Sequence, residues 1–267
     1  SLMFKIAEDI ANSKNISKGL IEFNISKIGK LPYKEANIYL FSDGEMKGIA
    51  FSESGWNNIE IRDIWVDDVI YLNPLLEKVK EIHSEIAAKI TVFTHDSDYV
   101  KHLIVLGYEL VCTIPDMPKN GNYYGLLNDK PFSTSSYKFS TNKIYLIKAK
   151  KILNEYYKSF NLEKKQYFVY SIKKNDLLVG GIKGSFSNNY ASIDTIWVDE
   201  PFRKQYLGVR LMKYIENVAM DKGINNLLLS TCTFQAKIFY EKLGYTVVGV
   251  IKEVPIGSDD HIMTKKI

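Results

Sequence analysis

Residues 190–211 read YASIDTIWVDEPFRKQYLGVRL, and this stretch predicts a strand, a loop and the start of a helix. Its first part, Tyr190–Val198, is rich in β-branched and aromatic residues, which is typical of a strand. From position 207 onward, apolar residues recur at helical spacing as far as Gly223, which suits a helix end. A basic loop with Arg203 and Lys204 joins the two elements. Because the first amides of a helix are unpaired and partly positive, this arrangement predicts an anion site suited to phosphates.

Strand and helix patterns alternate on both sides of this stretch. Residues 166–174 and 176–186 predict two strands joined by a turn. The run INNLLLST at 224–231 predicts a buried strand, and residues 235–245 predict a short amphipathic helix. Another strand is predicted over 246–254. This alternation predicts an α/β sheet.

The chain carries an internal repeat. Residues 61–68 read IRDIWVDD and residues 193–200 read IDTIWVDE, with five of the eight positions identical. The sequence Leu-Gly-Tyr at 106–108 returns at 243–245. Several matches in the same order at nearly one offset predict two copies of one domain.

We therefore predict two domains, residues 1–132 and 133–267, with a Pro- and Ser/Thr-rich linker near their boundary. The two copies differ in charge. Residues 1–134 carry 14 basic and 19 acidic side chains, a net charge of −5, and the remainder carries 21 and 12, a net charge of +9. This asymmetry fits different partners for the two halves, and it fits drift on solvated surfaces equally well.

Length and composition exclude several classes of protein. Cys112 and Cys232 are too few for a disulfide framework, so we expect a reducing, cytoplasmic setting. No apolar run reaches the roughly 18–20 residues that span a bilayer, and the first residues have no signal-peptide pattern, so no membrane is expected. The four histidines have no metal-ligand spacing, so no metal is expected. The basic residues are scattered, which argues against nucleic acid.

Two motifs of the second copy resemble those of the GNAT superfamily of acyl-CoA N-acyltransferases. That family's acetyl-CoA loop reads Arg/Gln-x-x-Gly-x-Gly/Ala, and it stands here as Arg203-Lys204-Gln205-Tyr206-Leu207-Gly208. Tyr206 replaces the first glycine, which is a departure because tyrosine resists positive φ. The family's later motif, a short helix ending Phe-Tyr-x-x-x-Gly-Tyr/Phe, is present as Phe239-Tyr240-Glu241-Lys242-Leu243-Gly244-Tyr245. The resemblance covers about 165–267, and more faintly about 36–130.

The resemblance implies an α/β fold of two tandem GNAT-like domains. Each would be a mixed, mostly antiparallel sheet with a splayed central strand pair and flanking helices. The pantetheine arm of acetyl-CoA would lie in the splayed gap of the second domain, and its pyrophosphate would rest on the amides of residues 204–209. The residues assigned to the cofactor in this way are Ile196, Trp197, Val198, Arg203, Lys204, Gln205, Tyr206, Leu207, Gly208, Val209 and Phe239.

The resemblance also implies that the amine attacks the thioester directly, with neither cysteine as nucleophile. Tyr240 matches the tyrosine that protonates the departing thiolate; a core tyrosine on an amphipathic helix is the alternative. Asp194 is the candidate base for the amine, and a partner for a neighbouring lysine or amide is an equal alternative.

The first copy lacks these features. Leu103 stands where the second copy has Tyr240, and five residues and the basic loop are missing after the IWVD strand. A helix is instead predicted here with Asn73 as its N-cap and Pro74 as its first residue, so that its N-terminus is satisfied by its own residues. We therefore expect only the second copy to bind acyl-CoA. His83 is expected on a solvated helix face.

The sequence predicts an acetyl-CoA-dependent N-acetyltransferase whose substrate is a primary amine, either a small molecule or a protein amine. The alternative is a non-catalytic module of the same fold that senses acyl-CoA or holds a partner. The presence of Tyr240 and of the basic loop favours the enzyme. The identity of the amine, the acyl length and the oligomeric state stay open.

Overall fold

The computed structural model describes residues 3–267. Its strands are β1 (Phe4–Glu8), β2 (Lys34–Ser42), β3 (Glu45–Gly55), β4 (Asn58–Val66), β5 (Ile90–Thr94), β6 (Glu109–Pro115), β7 (Asn122–Asn128), β8 (Lys138–Ser140), β9 (Gln166–Lys174), β10 (Leu177–Ser187), β11 (Tyr190–Val198), β12 (Asn226–Cys232), β13 (Thr246–Ile251) and β14 (Asp260–Lys266). Its helices are α1 (Ser13–Ile28), α2 (Leu72–Ile82), α3 (Ser97–Val105), α4 (Leu146–Lys158), α5 (Leu207–Asp221) and α6 (Lys237–Lys242). The strand, loop and helix predicted over residues 190–223 are confirmed as β11 and α5.

One mixed sheet has the strand order β1-β9-β10-β11-β12-β14-β13. β9, β10 and β11 are antiparallel neighbours, whereas β11 and β12 run parallel. β1 lies at the outer edge as the antiparallel partner of β9. The strands of the second half thus take their edge strand from the beginning of the chain.

The other mixed sheet has the order β6-β7-β5-β4-β3-β2-β8. β2, β3 and β4 are antiparallel, β4 and β5 run parallel, and β8 pairs with β2. Listed from β8 to β6, the strands of this sheet follow the same order as those of the other sheet listed from β1 to β13. The predicted α/β fold with two mixed, mostly antiparallel sheets is confirmed. Descent from a tandem duplication remains a prediction, and the shared strand order supports it.

The two compact units of the chain exchange their first elements. The C-terminal unit contains the chain up to Lys30, Glu163–Val248 and His261–Ile267. The N-terminal unit contains Leu31–Leu162 and Gly249–Asp260. β1 is therefore a strand of the C-terminal unit's sheet, and α1 packs on that sheet. β8 is a strand of the N-terminal unit's sheet, and α4 belongs to the same unit. The division at residues 132 and 133 stays a prediction about the repeat, because the compact units divide the chain elsewhere.

Two helices cover the sheet of the C-terminal unit around β11. From α5, Leu211 and Ile215 are fully buried in the core, and each such side chain contributes about 1.5–3 kcal/mol. α1 also packs on β10 and β11, and it comes so close that a Cβ on Gly19 would overlap the indole of Trp197. α1 therefore packs on the sheet whose strand β11 leads into the predicted loop.

In the N-terminal unit, the predicted cap of α2 is wrong. The helix begins at Leu72, so Asn73 lies inside it and Pro74 is its third residue. A short 3-10 turn at Val69–Tyr71 precedes α2, and the Asp68 carboxylate accepts a hydrogen bond from the Ile70 amide at 3.0 Å. Asp68 therefore caps the preceding turn, and the chain enters α2 without a separate N-cap side chain.

The expectation of a solvated His83 is also wrong, because the residue is fully buried. It follows the last residue of α2, and its two ring nitrogens lie 2.8 Å from Ser52 Oγ and 2.6 Å from Ser54 Oγ. These serines are two positions apart on β3, so they face the same side of the sheet. Burial, with a smaller effect from the charge of Lys34, lowers the pKa of His83 to about 4.

Candidate active site

The central strands β11 and β12 separate midway along β11. They pair only from Tyr190 to Ile193, although β12 continues to Cys232. The register between β10 and β11 shifts between Ile193 and Thr195, which makes Asp194 the extra residue of a β-bulge. Because a bulge bends its strand, β11 turns away from β12 beyond this point. The predicted splayed pair is present, and it opens a cleft.

Beyond the bulge, the backbone of β11 presents Ile196 and Val198 to the cleft. The Asp199 amide donates to the Val179 carbonyl at 2.8 Å, so it faces β10. Hydrogen-bonding direction alternates along a strand. The backbone of Trp197 therefore also faces β10, and the amides and carbonyls of Ile196 and Val198 point into the cleft.

The loop after β11 leads into the N-terminus of α5 as predicted. The first helical hydrogen bond joins the Arg210 amide to the Tyr206 carbonyl at 3.0 Å. The amides of Leu207, Gly208 and Val209 precede this bond, so they are the donors that a helix start leaves available. Gln205 is exposed in the loop, and the side chain of Leu207 is buried in the core.

Tyr206 adopts the conformation for which the related loops use glycine. Its φ is +61° in the left-handed region, and Lys204 nearby has a φ of +64°. The Tyr206 side chain is 79% exposed and thus gains little from packing. A left-handed conformation costs a residue with a Cβ about 1–2 kcal/mol. The backbone conformation at Tyr206 is therefore held at the expense of stability.

The two sequence motifs meet at Gly208. A Cβ on this residue would lie 3.3 Å from Phe239 Cζ, so the glycine allows the ring to lie against the first turn of α5. The Phe239 and Tyr240 rings are in contact, with centroids 5.1 Å apart and planes at 70°. The predicted cofactor loop and the predicted acid on α6 are thereby placed side by side.

Tyr240 belongs to the buried core cluster of the C-terminal unit, 5% exposed, with its ring 5.9 Å from that of Tyr245. Burial raises the pKa of the Tyr240 hydroxyl above its usual value of 10.0. The hydroxyl is therefore fully protonated at neutral pH and can act as a hydrogen-bond donor.

Asp194 stands on the bulge with its side chain accessible to solvent. Desolvation by the surrounding protein raises the pKa of its carboxyl, while the charges of Lys165 and Lys183 lower it. The first effect is the larger, so the carboxylate is more basic than an ordinary aspartate.

The equivalent position of the N-terminal unit is filled by one of the protein's own side chains. Val66 matches Val198 at the repeat offset, and its amide donates to the Tyr99 hydroxyl at 2.9 Å. The same hydroxyl donates to the Val66 carbonyl at 3.2 Å. Tyr156 stacks on Tyr99 with centroids 5.8 Å apart and donates to Asp96 at 2.9 Å. The Tyr99 hydroxyl thus binds both the amide and the carbonyl of Val66, whereas in the C-terminal unit Arg203 Nε donates to the Val198 carbonyl at 2.9 Å.

Sequence reasoning missed the part of the site that α1 supplies. Asn24 on this helix is buried, and its Oδ1 accepts a hydrogen bond from Gln235 Nε2 at 2.9 Å. Gln235 Oε1 in turn accepts from the Cys232 amide at 2.9 Å, at the end of β12. The Phe-Asn pair at 23–24, repeated at 160–161, is the signal that relates this helix to the repeat.

Comparisons with known proteins find acetyltransferases. The acetyltransferase (GNAT) family matches residues 134–245. The blasticidin-S acetyltransferase of Streptomyces morookaense is 30% identical over 102 residues, which cover 38% of this chain and 75% of that protein. An acetyltransferase structure from Bacillus cereus ATCC 14579 is 29% identical with a TM-score of 0.43, covering 48% of this chain and 95% of that one. The PaiA N-acetyltransferase of Thermoplasma acidophilum, solved with coenzyme A, is 22% identical with a TM-score of 0.34, covering 47% and 80%.

The splayed strand pair thus lies beside a basic loop and a helix N-terminus. The chain belongs to the acetyltransferase (GNAT) family, and it is an enzyme of the acyltransferase class. Within residues 3–267, no group of three or more His, Cys, Asp or Glu side chains is placed to hold a metal ion. No helix of that range has the length and apolar character needed to span a membrane.

Proposed function

We propose that the chain transfers an acetyl group from acetyl-CoA to a primary amine in the cleft between β11 and β12. One observation carries this proposal: the backbone groups of Ile196 and the amide of Val198 face the cleft beside the start of α5, and Phe239, next to Tyr240, packs on Gly208. A single continuous site can thus receive an extended amide chain, a phosphate group and a reacting thioester.

The residues present fit the cofactor. Acetyl-CoA supplies an activated acetyl group as a thioester when it is bound. The amide and carbonyl of Ile196 and the amide of Val198 can pair with a pantetheine chain, as a neighbouring strand would, while the Val198 carbonyl accepts from Arg203 Nε. The amides of Leu207, Gly208 and Val209 can hold the pyrophosphate, and Arg203 and Lys204 add positive charge. The Gly208 position keeps the backbone accessible at this point.

The proton transfers follow from the two titratable candidates. Asp194 takes a proton from the ammonium form of the substrate, which frees the nitrogen lone pair for attack on the thioester carbonyl. The new C–N bond forms as the C–S bond breaks, and the second proton that the nitrogen must lose to become an amide passes to solvent. Tyr240 donates a hydrogen bond to the departing sulfur and so stabilises the thiolate. Because a thiol pKa is about 8.5, solvent completes its protonation.

The test is thiol release from acetyl-CoA with a panel of primary amines, including small polyamines, aminoglycoside-like molecules and peptides with a free N-terminus. Release that depends on one amine, with that amine acetylated by mass spectrometry, supports the proposal. Binding of CoA without release for any amine would favour the acyl-CoA-sensing module instead. The absence of CoA binding would reject both functions.

We further propose that only the C-terminal unit binds the cofactor, because in the N-terminal unit the Tyr99 hydroxyl accepts from the Val66 amide, the counterpart of the Val198 amide. Isothermal titration calorimetry should then give one CoA per chain. A small-molecule amine is the acceptor class we favour, because the relative with 30% identity is named for blasticidin S. Cys112 and Cys232 are buried and form no disulfide within the described residues, which fits a cytoplasmic setting.

A further inference from the structure

We propose that Phe23, on the N-terminal helix α1, positions Arg203 for the phosphates of acyl-CoA. The inference rests on the proposed function, and it assigns part of the cofactor site to a segment outside both sequence motifs. Phe23 would act through Arg203 and would not touch the reacting atoms.

The central contact joins an aromatic ring to a guanidinium group. The Arg203 Cζ lies 5.1 Å from the centroid of the Phe23 ring, within the range of a cation–π interaction. Arg203 Nε also donates to the Val198 carbonyl at 2.9 Å. The ring and the carbonyl together fix the guanidinium plane at the end of the cleft, and the two terminal Nη groups remain available to a ligand. A fixed planar fork of this kind matches the geometry of a phosphate.

The Phe23 ring is itself held in place by the packing of α1. Gly19 lies one helical turn earlier on the same face and lets the helix approach Trp197 on β11. Asn24, the next residue, is tied to Gln235 by a hydrogen bond of 2.9 Å. These two contacts hold α1 in place on both sides of Phe23. The packing of the helix against Trp197 and Gln235 therefore sets the position of the ring.

The charge around the ring favours an anion. Lys27 Nζ lies 5.7 Å from the centroid of the same Phe23 ring. In residues 3–267, neither Lys27 nor Arg203 forms an ion pair with a carboxylate. Two cations that share one ring and have no carboxylate partner leave a local positive charge next to the start of α5, which a phosphate would neutralise.

The experiment compares donors with and without phosphates. Phe23→Leu removes the ring but keeps an apolar side chain in the helix. We expect it to weaken CoA binding about two- to fivefold, because an exposed cation–π contact is of that size. The KM for S-acetyl-pantetheine, which lacks the phosphates, should not change. Phe23→Trp, which retains the aromatic face, should restore CoA binding.

Phe160→Leu is the matched control, because Phe160 is the repeat counterpart of Phe23 and lies in the N-terminal unit against Tyr156. It should leave CoA binding unchanged. In an Arg203→Met background, Phe23→Leu should add no further loss of affinity, because the ring acts through the guanidinium.

Each other outcome has a distinct meaning. Equal losses for both donors in Phe23→Leu would show a purely structural role and overturn the inference, as would unchanged CoA binding. Additive losses with Arg203→Met would overturn the coupling. A wild-type protein that binds no CoA would instead reject the proposed function.

Discussion

Tyr99→Phe tests whether a side chain replaces a ligand in the N-terminal unit. The change keeps the ring and removes the hydroxyl, which leaves the amide and the carbonyl of Val66 without their partner. Val66 is 5% exposed, so water does not readily take the place of the hydroxyl. A net hydrogen bond is worth about 0.5–1.5 kcal/mol, and an orphaned buried group costs about 1–3 kcal/mol. We expect the free energy of unfolding to fall by about 2–4 kcal/mol.

The assay is urea unfolding followed by circular dichroism, with Tyr108→Phe as the matched control. Tyr108 lies in the same unit and is as buried as Tyr99, but within the described residues its hydroxyl has no hydrogen-bond partner. Removing that hydroxyl leaves no buried polar group without its hydrogen-bond partner, so the free energy of unfolding should fall much less. A loss in Tyr99→Phe no larger than in Tyr108→Phe would refute the reasoning.

The remaining predictions concern the site and the buried histidine. Tyr240→Phe should lower kcat about 10²–10⁴-fold with little change in the Kd for CoA, and an unchanged kcat would remove Tyr240 from the mechanism. Tyr206→Gly should raise the free energy of unfolding by about 1 kcal/mol in chemical denaturation, since it relieves the left-handed φ; a loss would contradict the strain. The pKa of His83 in the folded protein, about 4, lies below the ordinary value of 6.5, so the unfolded chain takes up the proton at a higher pH than the folded one. Stability should therefore fall by about 3 kcal/mol as pH drops from 6.5 to 4, and His83→Gln should flatten that slope.

Much of the C-terminal unit was predictable because its signals are local. The strand at 190–198 and the helix from Leu207 follow from composition and spacing, and the motif around Gly208 implied the cofactor loop. What could not be predicted at Tyr206 is that tertiary structure imposes a left-handed φ on a tyrosine. Local preference for that residue indicates the opposite, and the surrounding loop overrides it.

The failures concern contacts between residues far apart in sequence. The partners of β1 and β8 were missed because a strand's pairing is set by the whole sheet, and neither strand carries a signal for its neighbour. His83 was misplaced because it follows the last turn of α2, where helical periodicity no longer reports burial. Tyr99 has a helical pattern like many others, and only its distance to Val66 reveals its role.

The exchange of β1 and α1 has a consequence for synthesis on the ribosome. Phe4 pairs with Lys174, so the first strand is complete long before its partner exists. At about 5–20 residues per second, the first helix waits on the order of ten to thirty seconds. During that time the apolar face around Ile16, which is fully buried in the folded protein, has no sheet to cover it. The growing chain must therefore keep β1 and α1 from aggregating until β9, β10 and β11 have emerged.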